Sequence, residues 1–198
     1  MNPLLKLSTS LILASQSPRR RTLLDRIGIP FRVQVSPADE DLAEPGSPAT
    51  VVQTLARRKA RPVAAQHPSA LVLAADTVVA HDGEILNKPQ SAAHAEAMLR
   101  RLSDAAHTVY TGIALARTAT DRETTAVEGT DVVLGPLSDA EIRAYVASGS
   151  PMDKAGATAF RTTPLPSSSS ASRATTTTWW ASRFDACTGP FAATLAIS

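Results

Sequence analysis

The chain has 198 residues, 43% of them hydrophobic and 19% charged, which is apolar enough for one good core or for two lobes of a single domain, and is not the composition of a disordered chain. Its net charge of +2 is unevenly placed: residues 1–157 hold 17 Lys+Arg against 17 Asp+Glu, and the excess comes from Arg161, Arg173 and Arg183 against the single Asp185. A neutral body with 4% aromatics argues against stable nucleic-acid binding, the lone Cys187 excludes an internal disulfide and fits a reducing cytoplasmic setting, and no apolar run reaches membrane-spanning length.

Leu11-Ile12-Leu13-Ala14 reads as a short buried strand that breaks into a polar turn. Ser17 stands where a helix N-cap belongs and Pro18 where a first helical residue tolerates proline. A helix therefore starts there, with Leu23, Leu24 and Ile27 on its apolar face, and stops at Gly28. Arg19, Arg20 and Arg21 crowd the positive end of that helix's dipole, where each cation is unfavourable by about 0.3–1 kcal/mol at an exposed site. A bound anion reverses the sign. Backbone N–H groups, the hydroxyls of Ser15 and Ser17 and the guanidinium forks make a phosphate site there; otherwise the arginines simply face water.

Phe31 to Val35 alternates apolar and polar, a half-buried strand. Ser36 to Glu44 is an acidic loop in which Asp39-Glu40-Asp41 offers hard oxygen ligands to a divalent cation, or is a solvated turn. Pro45-Gly46-Ser47-Pro48 opens a helix running to about Ala60, with Val52, Leu55, Ala56 and Lys59 on one face and Arg57, Arg58 and Arg61 elsewhere. Lys59 either snorkels at the core's edge or reaches into a cleft. Leu71 to Ala80 is a continuous apolar strand interrupted by one carboxylate, Asp76. An unpaired buried charge is too costly to keep, so Asp76 needs a cation, a metal or water beside it, unless it caps the strand's end.

Asp82-Gly83 makes a hairpin turn, and Ile85 to Pro89 returns with Lys88 in extended chain before the proline, where its ammonium can meet a phosphate. Ser91 to Leu102 is a helix with Ala95, Met98, Leu99 and Leu102 inward. Thr108 to Ala116 and Thr124 to Leu134 are strands around a turn near Asp121-Arg122. Ser138-Asp139-Ala140-Glu141 is a capping box opening a helix that buries Ile142, Tyr145 and Val146 and stops at Ser148-Gly149. His67, His81, His94 and His107 have no metal spacing, and neither a P-loop nor a dinucleotide fingerprint occurs.

Seven segments together resemble the Maf family of nucleoside triphosphate pyrophosphatases. They are Leu-Ala-Ser-Gln-Ser-Pro-Arg-Arg-Arg (13–21), Ala-Asp-Glu (38–40), Leu-Ala-Arg-Arg-Lys-Ala (55–60), Ala-Ala-Asp-Thr-Val-Val (74–79), Leu-Asn-Lys-Pro (86–89), Tyr-Thr-Gly (110–112) and Asp-Lys-Ala-Gly-Ala (153–157). The resemblance implies an α/β fold, a mixed twisted sheet with flanking helices and two lobes around a central cleft, akin to the inosine triphosphate pyrophosphatases. It implies hydrolysis of a nucleoside triphosphate to monophosphate and pyrophosphate with Mg²⁺ or Mn²⁺, and Arg19 with Thr77 fits the subfamily acting on dTTP and UTP. Asp76 looks like the proton acceptor that activates water, and Glu40 with Asp76 like the metal carboxylates. Ser15, Ser17, Arg19, Arg20, Lys59, Thr77 and Lys88 look like the substrate-binding set. A homodimer is compatible with the family, some of whose members are linked to arrest of septum formation. The alternative reading is a non-catalytic nucleotide-binding or division-regulating protein.

The resemblance covers residues 11–157 and then stops, dividing the chain into a Maf-like domain, 1–157, and an aberrant tail, 158–198. The family continues with Tyr-Gly-Ile-Gln, a strand bearing Glu-Arg-Ile-Glu-Gly, then Asn-Val-Val-Gly-Leu-Pro and a closing helix. Here Ser167–Ser170, Thr175–Thr178 and Trp179-Trp180 form a biased run that by composition alone reads as linker or disorder. Tryptophan has a single codon, so Trp179-Trp180-Ala181 forces Val-Gly in the neighbouring frame. Ser167 to Arg183 can be written in codons that one base over spell Leu-Phe-Val-Glu-Arg-Ile-Glu-Gly-Asp-Tyr-Tyr-Asn-Val-Val-Gly-Leu-Pro. The expectation is a frame lost between about Ala157 and Ser167, with reduced stability and weak or absent activity.

Overall fold

In the computed structural model of the chain, residues 9–38 and 45–158 are described; Asp39-Glu40-Asp41 and the tail from 159 on lie outside them. The strands are β1 (Leu11–Leu13), β2 (Phe31–Val33), β3 (Leu71–His81), β4 (Glu84–Leu86), β5 (Ala106–Arg117) and β6 (Arg122–Val133). The helices are α1 (Pro18–Ile27), α2 (Pro48–Gln66), α3 (Ala92–Leu102) and α4 (Asp139–Ala147). The strands form one mixed sheet in the order β2-β1-β3-β5-β6, with β4 on β3. β1 runs parallel to both β2 and β3, pairing Leu11 with Phe31 and Leu71, and β4 returns antiparallel, pairing Val79 with Leu86. This is the mixed sheet with flanking helices that the family resemblance implies.

Two compact units divide the chain: residues up to Thr77 with Tyr110–Gly129, and Val78–Val109 with the residues from Thr130 on. In the first, the core under α2 comprises Ile12, Ala14, Ala56, Ala60, Val63, Ala64, Ala70, Val72, Ala74, Ala114 and Ala116. Eight of these eleven are alanine, so little side-chain volume separates helix from sheet and the two backbones come close. The sheet residues fall at every second position, 12 and 14, 72 and 74, 114 and 116, as one pleated face requires. Gly112, next on that face, lies against the α2 backbone: a Cβ there would stand 2.4 Å from the Val52 carbonyl oxygen.

Several details differ from expectation, β5 and β6 among them, which begin at Ala106 and Arg122 rather than Thr108 and Thr124. β2 stops at Val33 rather than Val35, because its partner β1 is itself only three residues long; Val33 and Val35 are exposed. α2 runs six residues past Ala60 and through Pro62. An interior proline costs a helix about 3 kcal/mol or more. Val63 and Ala64 beyond it, 0% and 2% exposed, extend the buried stripe, and burying a valine alone returns about 1.5–3 kcal/mol. In α1 only Leu24 is fully buried, with Leu23 and Ile27 half-buried, and Ser17 occupies the N-cap position without a side-chain cap bond.

In the second unit, Asp82 and Gly83 both take positive φ, +50° and +78°, the geometry of a tight hairpin between β3 and β4. α3 and α4 pack through Ala95, Met98, Leu99, Ile142 and Val146, with Tyr145 only partly buried, a correction to its expected burial. The capping box of α4 is complete: Ser138 Oγ accepts from the Glu141 N–H at 3.3 Å, and Glu141 Oε2 accepts from the Ser138 N–H at 2.9 Å. Ser138→Ala is expected to cost about 0.5–2 kcal/mol. An unchanged thermal midpoint would mean that packing alone holds this helix start.

His107 is buried in the same unit, and burial, followed by the neighbouring His81, holds its imidazole below the usual pKa of 6.5 against a raising backbone hydrogen bond at Ala105. The unfolded chain therefore binds the proton more readily. Stability is complete above about pH 6.5 and falls as the pH drops toward the lower folded value. His107→Gln is expected to flatten this acid-side loss in thermal melts between about pH 7.5 and 5; an equally steep loss in the variant would remove His107 as its cause.

Candidate active site

Asp76 follows Val72 and Ala74 on the α2-facing side of β3, at the point where the alanine-lined contact ends. Lys59 follows Ala56 by three residues on the facing side of α2. The close approach of helix and sheet brings the two together: Lys59 Nζ donates to Asp76 Oδ1 at 2.5 Å, with the side chains 8% and 13% exposed. The buried carboxylate has its cation, and the lysine is directed to a carboxylate rather than to solvent.

A second cluster in the same unit gathers around Arg20. Its Nη1 donates to Ser15 Oγ and its Nη2 to Thr77 Oγ1, both at 3.3 Å. Thr77 Oγ1 is also 3.1 Å from Thr111 Oγ1, and Ser15 Oγ accepts the Ser17 N–H at 3.2 Å. Ser15 is 7% exposed. Hydroxyls and a guanidinium fork converging where a helix begins can hold an anionic oxygen group. Thr111 was missed as a site residue; the signal was its place beside Gly112, alternation putting it on the face opposite the α2 contact.

The remaining expected residues fall as follows. Arg19 is exposed on the first turn of α1, and Ser17 is half-buried and contributes its backbone N–H to Ser15. Lys88 is exposed and belongs to the second unit, where Pro89 is buried. Glu40 lies outside the described residues. Arg57 and Arg61 turn to Glu123, at 3.2 and 2.8 Å, away from Asp76. In the Asp153-to-Ala157 segment, Lys154 donates to Asp153 at 2.5 Å and to the Ser150 carbonyl. The Gly156 N–H donates to the Asn87 carbonyl at 3.1 Å. No group of three or more His, Cys, Asp or Glu that could hold a metal occurs among the described residues, and no described helix is long and apolar enough to cross a membrane.

An α/β scaffold with a buried Lys–Asp pair at the end of one strand and a serine–arginine–threonine cluster at the start of a helix defines a protein built to handle a small anionic ligand. Its sequence matches the family described as Maf-like protein over residues 10–164, and the chain belongs to that family. A dTTP/UTP pyrophosphatase of Salinibacter ruber (strain DSM 13855 / M31) is 74% identical over 156 residues, 79% of this chain and 76% of the relative. One of Symbiobacterium thermophilum (strain DSM 24528 / JCM 14929 / IAM 14863 / T) is 54% identical over 147 residues, 74% and 75% of the two chains. Among solved structures, the Ham1 protein of Staphylococcus aureus aligns with a TM-score of 0.44 at 13% identity, covering 63% of this chain and 71% of that one, a distant likeness.

Proposed function

We propose that this chain hydrolyses dTTP and UTP to the nucleoside monophosphate and pyrophosphate in the cytoplasm. The buried Lys59–Asp76 pair carries the reading, supported by family membership and by the activity named for its relatives. In the reaction a water oxygen bonds to the α-phosphorus, the anhydride bond to the β-phosphate breaks, and pyrophosphate leaves with the electron pair. The Asp76 carboxylate takes the water's proton, and Lys59 holds that carboxylate in place. Arg20, supported by Ser15 and Thr77, presents its guanidinium to phosphate oxygens, and Arg19 adds a second cation for the triphosphate.

A divalent ion, Mg²⁺ or Mn²⁺, belongs to this reading. Lys59 bonds Oδ1 of Asp76, leaving Oδ2 as a hard donor of the kind Mg²⁺ takes; Glu40 is the proposed second carboxylate. When bound, such an ion neutralises charge on the phosphates as the anhydride breaks.

The test is pyrophosphate release from dTTP and UTP with Mg²⁺ or Mn²⁺, run as single turnovers with protein in excess so that a weak activity is visible, with ATP and GTP beside them. Release from dTTP and UTP in preference to the purine nucleotides is expected. Release of orthophosphate alone would overturn the reaction, and equal turnover of all four would overturn the substrate assignment.

A further inference from the structure

Thr158 is the last described residue, and its Oγ1 is shielded from solvent with no hydrogen-bond partner among the described residues. Ala157 before it is 0% exposed and packs in the core of the second unit. A buried hydroxyl without a partner is something native folds ordinarily avoid. Thr158 thus carries a buried hydroxyl left unsatisfied at the end of the described residues, as Arg117 Nε and Tyr145 Oη are earlier in the chain.

We propose that every residue after Ala157 is translated one base out of register, a single nucleotide having been lost between codons 157 and 158. The proposal rests on the family membership above. After such a loss, the original residue at each position is encoded by the last base of the preceding codon and the first two bases of the present one. Threonine then stands for Tyr, His, Asn or Asp, alanine for Gly, Arg, Ser or Cys, and tryptophan for Leu, Val or Met. Serine stands for an aliphatic residue or Phe when its codon begins TC, and for Gln, Glu or Lys when it begins AG.

Thr158-Ala159-Phe160-Arg161 admits Tyr-Gly-Ile-Gln, in register with the family motif. Phenylalanine codons end in T or C, so with an AG-type codon at Arg161 that position can only be Gln or a stop. Thr175–Thr178 must each be Tyr, His, Asn or Asp, and Asp-Tyr-Tyr-Asn satisfies all four. The register persists past Arg183. Phe184 and Phe191 become Leu, Ile, Val or Phe, and Cys187 becomes Leu, Val or Met, while Asp185 becomes Arg or a stop. Apolar residues at 184, 187 and 191 have helical spacing, and positions 185, 186 and 189 between them admit arginine. The shifted reading thus yields a strand pattern followed by an amphipathic helix, where the present reading has a serine and threonine run.

The gene decides the matter. The third base of the Phe160 and Phe184 codons must be C, and Arg161, Ser170 and Arg173 must use AG-type codons. A T at either phenylalanine, or a TC-type codon at Ser170, overturns the proposal. One nucleotide added after codon 157 is expected to give a chain with a sharper and higher thermal transition in nucleotide-free buffer, and at least tenfold faster pyrophosphate release from dTTP. An unchanged transition would also overturn it. A raised transition without pyrophosphate release would leave the frame assignment standing and sink the proposed reaction, so the two ideas fail separately.

Discussion

Asp76→Asn is expected to lower pyrophosphate release by about 10²–10⁴-fold, the usual contribution of a positioned general base. The asparagine keeps the shape of the carboxylate and loses its proton affinity. It also leaves Lys59, 7% exposed, without its counter-ion, and breaking a buried pair by neutralising one partner costs about 3–5 kcal/mol. Activity must therefore be read on protein shown to be folded by circular dichroism at the assay temperature. Asp76→Glu separates the two effects. It retains the charge and can still meet Lys59, so it is expected to fold, but a carboxylate displaced by about 1 Å is expected to lose about 10²-fold in rate. A folded Asp76→Glu protein with full activity would show that this carboxylate is structural, and would move the proton acceptor elsewhere.

Gly112→Ala is expected to lose more stability than alanine at Gly46, Gly83, Gly135, Gly149 or Gly156. The new Cβ would stand 2.4 Å from the Val52 carbonyl oxygen, 2.5 Å from its carbon and 2.8 Å from the Gln53 nitrogen. These are backbone atoms, so no rotamer change relieves the clash and α2 must shift as a body. Overpacking of this kind costs about 1–3 kcal/mol and occasionally more. At the upper end, the midpoint falls by about 6–12 °C for a chain of this size. Because α2 carries Lys59, the shift also separates the ammonium from Asp76, so activity is expected to fall along with stability. Gly135→Ala is the control: a Cβ there has nothing within 4 Å, and the substitution is expected to stay within about 0.5 kcal/mol of the parent. Equal midpoints for the two variants would mean that α2 does not hold the backbone contact described.

The order of elements was legible because each boundary has a local chemical cause. Ser17-Pro18, Ser47-Pro48 and Ser138 to Glu141 start helices through capping and proline geometry, and Asp82-Gly83 turns a hairpin through two positive φ values. The passage of α2 through Pro62 was not legible. Local rules count the lost hydrogen bond, whereas burial of Val63 and Ala64 depends on a sheet formed by distant segments.

The candidate site divides along the same line. Sequence by itself determined that Asp76 is a carboxylate in an apolar strand and needs a partner, since burial of a lone charge is prohibitive wherever the strand lies. It also determined that Ser15 and Arg20 flank a helix start, as residues five apart across a turn can meet without help from the rest of the fold. Only the tertiary structure decided that the partner of Asp76 is Lys59, that Arg20 reaches Thr77 across 57 positions, and that Thr111 joins them. The Lys59–Asp76 contact depends on an interface of alanines and one glycine thin enough to bring α2 onto the sheet. How closely two elements pack is settled by the residues of both together, which no local pattern within either one contains.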